Sequence, residues 1–549
     1  MSEERVRWLL GINLSLLFGF YVYIIFNLAL VNDDYMALYT TWLMSVGKRP
    51  NLDFNVDSYT LLFDWMTPVY FFFGDRFELI YVFRSFFVLF LLAIGWQVYV
   101  LLRQIFTVNI ALTTLLLLFA SSAMVMRGID LRPDLVILLL WLQIIIVLYV
   151  CPGSDAHKLF WVGLLFGLAI LFKFKAILIG LVIGLFGLIR LIQKRSVRDF
   201  VLDVSALFLG IISCAALFVT AVGISSLELF LYTTFDLFLY STSHGSDASS
   251  LKVDVLIQYF LHDIVYWLFA LIGVGICVSK WKVLSFKQAQ FLIALVTLAV
   301  LSVLANPHYH AYNLVTLYPL LAVFVAFSIQ YVVSSTREWS KGTVVTCIVL
   351  FLIVIARILH YPVQHNNQHQ AALQTFIERQ TQVDDAVFAY EGIGLFRPST
   401  YHWRTSAIKI NNYYRGQYDV WQEIRAVKPI LIVESYRIPD WLLEEDRDAL
   451  RQHYVSIAPF ILTLGLKTQS SVQGDLLRSG WYVLESDRLN RCFIDGVDVS
   501  VGDKIWLNFG AHTLTSQDGT CTLHWYFSHL GIEALRQSNP ESHPYLFSP

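Results

Sequence analysis

Asn32-Asp33-Asp34-Tyr35 follows the first long apolar run of the chain, which covers about residues 8–31. Two adjacent carboxylates at the end of a hydrophobic helix are costly to place beside a bilayer, and ionisable residues at such positions usually have a function. The same four residues open a polar segment that reaches to about Phe77. We therefore predict that residues 32–77 form a functional loop, and that the rest of the chain encloses this loop or brings substrate to it.

The composition is that of an integral membrane protein. The chain has 549 residues, of which 57% are hydrophobic, 15% are aromatic and only 15% are charged, and its mean hydropathy is +0.60. These values are far more apolar than those of soluble proteins. The formal net charge of −2 shows no basic excess, so the sequence gives no reason to expect a nucleic-acid partner.

Eleven apolar segments predict a polytopic helical protein. They cover about residues 8–31, 78–102, 108–126, 135–151, 159–172, 176–192, 200–222, 259–279, 288–305, 311–333 and 343–358. Lys and Arg lie at every second break between them, on the side of Arg5 and Arg7, as the positive-inside rule expects of the cytoplasmic face. The opposite face then receives residues 32–77, 127–134, 173–175, 223–258, 306–310 and everything after 358.

The composition changes near His360-Tyr361-Pro362, and roughly 190 residues follow that we expect outside the bilayer. We predict three domains: a transmembrane domain over 1–358 with the loop 32–77, a small α/β domain over 359–478, and a β-rich module over 479–549. Helices are expected at 368–380, 419–427 and 440–453, and buried strands at 387–390 and 430–433. Five further strand patterns follow residue 480. Cys492 and Cys521 lie in two of them and are able to pair in an oxidising periplasm.

Acidic and basic residues from several breaks fall on the same predicted face. These are Asp33, Asp34, Asp53, Asp57, Asp64, Arg127, Asp130, Arg132, Asp134, Lys173, Lys175, His308 and His310. A carboxylate can accept the proton of an acceptor hydroxyl, while Lys, Arg or His can neutralise a phosphate leaving group without a metal. The combination predicts group transfer from a phospholipid-linked donor on the extracytoplasmic side.

The order of these motifs resembles that of the GT-C membrane glycosyltransferases over about residues 1–358. The run 33–39, with Gly47-Lys48-Arg49-Pro50 and Leu52-Asp53-Phe54, is similar to the first external loop of bacterial relatives of the protein O-mannosyltransferases and the lipid A aminoarabinose transferases. Later landmarks of that group are similar to Gly74 with Arg84, residues 131–134, the Gly-rich run 163–173, and Pro307-His308-Tyr309-His310 before a segment with Pro319.

The resemblance implies roles for individual positions. Asp33 matches the proposed catalytic base, and Asp34 stands where Glu is more frequent, which leaves open which of the two accepts the proton. Lys173 falls on the Lys that often ends the Gly-rich segment. His308, Tyr309 and His310 fall on a polar cluster where donor-phosphate contacts are expected, and Arg132, Asp134 and Asp53 complete the candidate set. Residues 57–58 depart from the family pattern, in which His is common there.

The resemblance implies a polyprenyl-phosphate-sugar donor, and a glycan, lipid or protein acceptor that the sequence does not identify. It also implies a multi-pass protein of the bacterial inner membrane whose catalytic face and C-terminal domain are extracytoplasmic. No cofactor is indicated: a divalent metal is compatible with the chemistry, but no ligand spacing supports one.

Other interpretations of the same residues remain open. Asp33 and Asp34 fit helix caps, Lys173 and Lys175 fit anchors at the lipid headgroups, Arg132 and Asp134 fit a simple ion pair, and Asp53 fits a structural cap. A transporter or flippase of a lipid-linked or anionic substrate is the alternative function. It is disfavoured because transporters place charges at mid-bilayer in repeated halves, and no repeat is visible here. A binding protein that works through the β-rich module is disfavoured because anchoring does not require eleven spans.

Overall fold

The computed structural model describes residues 3–56, 59–194, 197–243, 248–304, 311–335, 352, 355–356, 366–404, 410–435, 437–486, 491–528, 532–533 and 535–536. The chain divides into two compact units. Unit 1 comprises Met1–Phe26, Ser58–Trp65 and Tyr81–Val363, and unit 2 comprises Asn27–Asp57, Met66–Ile80 and Gln364–Pro549. Most of the first loop therefore groups with the C-terminal residues.

The described helices begin and end at the following residues. They are α1 Glu3–Asn27, α2 Asn32–Ser45, α3 Leu61–Met66, α4 Val69–Phe73, α5 Leu79–Leu102, α6 Val108–Phe119, α7 Ser122–Arg127, α8 Pro133–Tyr149, α9 Asp155–Phe172, α10 Ile179–Lys194, α11 Val197–Val222, α12 Ile224–Ser243, α13 Ala248–His262, α14 Ile264–Ser279, α15 Phe286–Leu304, α16 Leu314–Ser335, α17 Gln368–Gln380, α18 Ile410–Tyr414, α19 Val420–Val427, α20 Arg437–Trp441 and α21 Glu444–His453. Short 3-10 turns cover Phe174–Leu178, Trp281–Val283 and Ala311–Asn313.

Unit 1 is a bundle of apolar helices. Ten of the eleven predicted apolar segments coincide with helices, and the eleventh, 343–358, lies largely outside the described residues. Among the described residues, seven helices are long and apolar enough to cross a membrane, or eight if one bent pair is counted as a single span. The helices α6 and α8 are shorter. A multi-pass membrane protein is therefore confirmed, and the count of eleven spans is not.

The bent pair breaks at Asp263, where α13 and α14 meet at an angle of 101°. The Asp263 carboxylate accepts hydrogen bonds from the backbone N–H and the hydroxyl of Ser122, both at 2.8 Å, and from the Tyr318 hydroxyl at 2.8 Å. A side chain that binds two other helices at a helix break gives the bend a specific cause. The preceding segment, predicted as an external loop over 223–258, instead contains the helices α12 and α13.

The helices α9 and α11 pack with their backbones in close contact. A Cβ added at Gly163 would lie 2.1 Å from the carbonyl oxygen of Leu207, and one added at Gly210 would lie 2.1 Å from that of Phe160. Small residues allow such close approach between membrane helices. The Gly-rich run of the sequence thus serves helix packing in unit 1.

The strands of unit 2 form two sheets. They are β1 Val387–Phe388, β2 Leu431–Val433, β3 Tyr454–Ala458, β4 Ile461–Thr468, β5 Ser471–Leu476, β6 Gly480–Ser486, β7 Cys492–Ile494, β8 Val497–Val499, β9 Lys504–Leu507, β10 Gly510–Ser516 and β11 Cys521–Trp525. The seven-stranded sheet has the order β1-β2-β4-β11-β6-β9, with β3 also paired to β4, and the four-stranded sheet has the order β5-β10-β7-β8. Only β1 and β2 pair in parallel among the described strands.

The C-terminal elements that the sequence predicts are present, but the strands β3, β4, β5 and β8 were not predicted, and the assembly differs from two separate modules. The strands β6, β9 and β11 follow residue 479 and join β1, β2 and β4 in one sheet. The predicted boundary at 478/479 is therefore not a break in the sheet. Cys492 and Cys521 form a disulfide, and because β7 and β11 belong to different sheets, this disulfide links the two sheets.

Candidate functional site

The two carboxylates of the first loop have different surroundings. Asp34 lies in the first turn of α2 and is fully buried. Its Oδ2 accepts the backbone N–H of Val31 at 3.2 Å, which is the side-chain half of a capping box. Asp33 is only partly buried. The capping interpretation therefore describes Asp34, whereas Asp33 is a partly buried residue at the start of the same helix.

Asp53 closes a turn. Its Oδ2 accepts the backbone N–H of Arg49 at 2.8 Å, and the guanidinium of Arg49 lies 3.7 Å away. Asp53 is exposed, so its visible contacts are those of a structural cap. Asp57 and Ser58, where the sequence departs from the family pattern, lie outside the described residues.

A cluster of charges in unit 1 is centred on Asp134, and we call it the Asp134 cluster. Pro133 occupies the first position of α8, where its fixed φ angle suits a helix start, and Asp134 follows in the first turn. The Asp134 carboxylate lies 3.1 Å from Nζ of Lys173, 2.9 Å from Nζ of Lys175 and 3.6 Å from Nε of Arg132. The cluster consists of Arg132, Asp134, Lys173 and Lys175, with Tyr312 and Asn313 at its edge.

The backbone between α9 and α10 brings both lysines to this carboxylate. Helix α9 ends at Phe172, and Lys173 is extended, with φ −167° and ψ 133°. The 3-10 turn Phe174–Leu178 follows, and its Ala176 carbonyl accepts the indole N–H of Trp141 on α8 at 3.3 Å. The helix end therefore places two basic side chains, separated by one residue, on one acid of the neighbouring helix.

The Asp134 cluster has more positive than negative charge. Arg132, Lys173 and Lys175 contribute three cations, and Asp134 contributes one anion. The Asp134 side chain is 3% exposed, that of Lys175 is 12% exposed, and that of Lys173 is 32% exposed. The carboxylate thus holds the cations in place from the interior, and the accessible Lys173 can meet an external anion. Such a preorganised cation group suits a phosphate.

Two residues of 3-10 turn Ala311–Asn313 complete the cluster. The guanidinium of Arg132 stacks 3.2 Å above the ring centre of Tyr312, and Lys175 donates to Oδ1 of Asn313 at 2.9 Å. Sequence reasoning missed both residues, although only Ala311 separates them from the predicted polar cluster His308-Tyr309-His310. His308, Tyr309 and His310 themselves lie outside the described residues.

The structure places the remaining sequence candidates in local pairs. Arg127 lies 3.5 Å from Asp130, and the Tyr59 hydroxyl donates to Asp64 at 2.5 Å. Asp33, Asp34 and Asp53 belong to unit 2, and the Asp134 cluster belongs to unit 1. The predicted convergence of the two sets therefore stays a prediction. Within the described part of the chain, no three His, Cys, Asp or Glu side chains are grouped so that they could share a metal ion.

Comparisons with known proteins gave one family match and several similar structures. Residues 53–221 match the family described as dolichyl-phosphate-mannose-protein mannosyltransferase. The fold is similar to that of ArnT from Cupriavidus metallidurans bound to undecaprenyl phosphate, with a TM-score of 0.52 and 14% identity over 80% of this chain and 96% of that chain. The apo state of the same ArnT has a TM-score of 0.52 and 13% identity, over 79% of this chain and 94% of that chain.

A third similar structure is the apo oligosaccharyltransferase of Archaeoglobus fulgidus, with a TM-score of 0.49 and 11% identity, over 91% of this chain and 76% of that chain. Among curated proteins, none matches this sequence. The family match and the similarity to ArnT confirm the predicted fold class, a polytopic helical protein with a C-terminal β-rich region, and the resemblance drawn from the motifs.

Proposed function

We propose that this protein, which has the fold of the GT-C membrane glycosyltransferases, transfers a sugar from a polyprenyl-phosphate-linked donor to an acceptor hydroxyl. The acceptor is a glycan, a lipid or a protein. The reaction takes place on the extracytoplasmic face of the bacterial inner membrane. The observation that carries the proposal is the Asp134 cluster, in which three cations surround one buried carboxylate.

The cluster suits the donor side of the reaction. A polyprenyl phosphate leaves as an anion, so its departure is favoured by fixed cations that need no reorganisation. Lys173 is the accessible cation, Arg132 adds a planar guanidinium, and Lys175 is held by Asp134 and Asn313. The undecaprenyl phosphate bound to the similar ArnT supports the same class of lipid here. His308, Tyr309 and His310 belong to the proposal on the sequence pattern alone.

The first loop suits the acceptor side. In the proposal, Asp33 takes the proton of the acceptor hydroxyl, whose oxygen then bonds to the anomeric carbon of the sugar. The bond from that carbon to the phosphate oxygen breaks, and its electron pair leaves with the polyprenyl phosphate. A single displacement of this kind inverts the anomeric configuration. Asp33 is favoured over Asp34 because Asp34 already caps α2 and is fully buried.

Two measurements test the two halves of the proposal separately. Binding of undecaprenyl phosphate to the purified protein is measured by native mass spectrometry, and sugar transfer is measured in native membranes with labelled polyprenyl-phosphate sugars. Lys173→Met should weaken lipid binding at least tenfold, whereas Lys282→Met, in the short turn Trp281–Val283, is the matched control and should bind normally. Asp33→Asn should keep lipid binding and lower transfer at least 100-fold.

The outcome that contradicts the proposal is specific. If Lys173→Met binds undecaprenyl phosphate as well as the parent protein and Asp33→Asn transfers sugar at the parent rate, both at equal abundance, the assignment of roles is wrong. If Asp34→Asn alone abolishes transfer while the protein stays folded, the base is Asp34 and the preference for Asp33 is wrong.

A further inference from the structure

We propose that the C-terminal region of unit 2 positions the first-loop carboxylates for the transfer reaction, and that Gln370 is the principal positioning residue. This inference rests on the proposed function and assigns a role to the residues that follow the membrane segments. It concerns contacts inside unit 2 only. Gln370 lies on α17, and the backbone that it contacts leads directly into α2 and Asp33.

The oxygen and the nitrogen of the Gln370 side-chain amide both bind the backbone of Leu30, just before the first loop. Its Oε1 accepts the N–H of Leu30 at 2.7 Å, and its Nε2 donates to the carbonyl oxygen of Leu30 at 2.8 Å. Both residues are 1% exposed. Two hydrogen bonds from one planar amide fix the orientation of the Leu30 peptide groups as a neighbouring strand would. Leu30 precedes Asp33 by three residues, so this contact sets where α2 begins.

The backbone just before Leu30 is held by the same region. The N–H of Asn367 donates to the carbonyl oxygen of Asn27 at 3.1 Å, and Leu28 forms an isolated antiparallel bridge with Asn366. The chain between α1 and α2 thus pairs with the start of α17 along its length. These residues lie more than 330 positions apart in the sequence.

A second contact holds α2 at Tyr39, five residues after Asp34. The Tyr39 hydroxyl donates to the carbonyl oxygen of Arg397 at 2.8 Å, and its ring packs edge-on against Trp403 with centroids 4.7 Å apart. Gly392 has φ +72°, and a Cβ added there would lie 2.7 Å from Cβ of Tyr39. Only glycine allows this close approach. Asn55, further along the loop, is bound by Tyr401 and Arg404 through their carbonyl oxygens.

These contacts have a consequence for catalysis. A base must hold its geometry to within a fraction of an ångström, and small displacements reduce the rate strongly. Removing the Gln370 amide leaves the buried N–H and carbonyl of Leu30 without this hydrogen-bond partner. These two groups then regain hydrogen bonds only if the backbone around Leu30 moves toward water. We therefore expect loss of Gln370 to slow the chemical step while donor binding, which the proposed function assigns to unit 1, is retained.

Gln374 supplies a matched control. It lies one turn later on α17, is equally buried at 1% exposure, and donates to the carbonyl oxygen of Ile393 at 2.5 Å. Its contact joins α17 to the C-terminal residues and not to the first loop. Gln370→Ala and Gln374→Ala remove the same side chain from the same helix, so they separate positioning of the loop from general stability of the helix.

The experiment compares the full-length protein with both variants by hydrogen exchange, undecaprenyl phosphate binding and sugar transfer in native membranes. For Gln370→Ala we expect at least tenfold faster exchange at residues 28–36, lipid binding within threefold of the parent, and at least a tenfold lower maximal rate at unchanged donor KM. For Gln374→Ala we expect parent-like exchange at 28–36 and a parent-like rate.

Three results overturn the proposal: unchanged exchange at residues 28–36 in Gln370→Ala, a parent-like maximal rate for that variant, or an equal loss of rate in Gln374→Ala at an equal loss of thermal stability. If the parent protein transfers no sugar, the proposed function fails. The exchange contrast between the two variants then still decides whether Gln370 holds the loop.

Discussion

The replacement Asp134→Asn tests the Asp134 cluster most directly. The amide keeps the shape of the carboxylate but removes its charge, so Arg132, Lys173 and Lys175 lose the anion that they share. Their nitrogen atoms lie 3.6, 3.1 and 2.9 Å from its oxygen atoms. At these separations each ion pair has about 5 kcal/mol of Coulomb energy at an effective dielectric constant of about 20, before desolvation is subtracted.

Most of this energy compensates for the desolvation of the charges and does not add to stability. The stability that Asp134→Asn loses is set by the cations that no longer have Asp134 as their anion. Removing one partner of a buried ion pair costs about 3–5 kcal/mol. We expect Asp134→Asn to lower the free energy of unfolding by that amount. Lys173→Met should have a smaller effect, because Lys173 is 32% exposed and Asp134 keeps Lys175 and Arg132.

The assay is denaturant unfolding of the purified protein in one detergent, followed by intrinsic fluorescence. The double variant Asp134→Asn with Lys175→Met also removes one of the cations that Asp134 held. Its loss of unfolding free energy should therefore be smaller than the sum of the losses in the two single variants. The reasoning about the cluster is refuted if the free energy of unfolding of Asp134→Asn lies within about 0.5 kcal/mol of that of the parent. It is also refuted if the losses of unfolding free energy in the two single variants simply add in the double variant.

Two further predictions concern α17 and the helix bundle. Burial lowers the pKa of His369 from its ordinary value of 6.5 to about 4, so the unfolded chain binds this proton more tightly than the folded protein. The free energy of unfolding should therefore keep its full value above pH 6.5 and fall by about 3 kcal/mol as the pH drops from 6.5 to 4. His369→Gln should flatten that part of the pH profile of stability. An unchanged profile in this variant would contradict the prediction. Gly163→Ala and Gly210→Ala should each lower the stability of the protein by about 1–3 kcal/mol, because the added methyl group overpacks α9 against α11. Gly187 has open space around it, so Gly187→Ala should be tolerated. The three variants are compared by thermal unfolding, and equal losses of stability at all three positions would rule out the packing argument.

Much of the fold follows from local sequence patterns. Apolar runs of this length are helical because a bilayer leaves no other partner for backbone N–H and carbonyl groups, and ten of the eleven runs coincide with described helices. The predicted helix over 368–380 matches α17, and the runs at 387–390 and 430–433 contain β1 and β2. Alternating apolar residues also located β6, β7, β9, β10 and β11, whereas β3, β4, β5 and β8 were not predicted. Each of these features depends on neighbours within one helix turn or one strand, which the sequence shows directly.

The segment 223–258 shows where local patterns were insufficient. Its polar residues indicated a loop, yet α12 and α13 cover most of it. The sheet also differs from the prediction, because β11 pairs with both β4 and β6 and so joins residues on the two sides of position 479. Strand pairing depends on hydrogen bonds between distant segments, and no composition change along the chain reports them.

The sequence by itself determined the membrane class, the positions of most helices and strands, and the presence of a carboxylate pair at Asp33-Asp34. Only the tertiary structure decided the roles within these sets: Asp34 caps α2, Lys175 joins Lys173 on Asp134, and Gln370 binds Leu30. The physical reason is that local structure arises from residues a few positions apart, whereas the partner of a charge or an amide is set by chain segments that meet only after folding. Asp134 and Lys175 are 41 positions apart, and Leu30 and Gln370 are 340 apart.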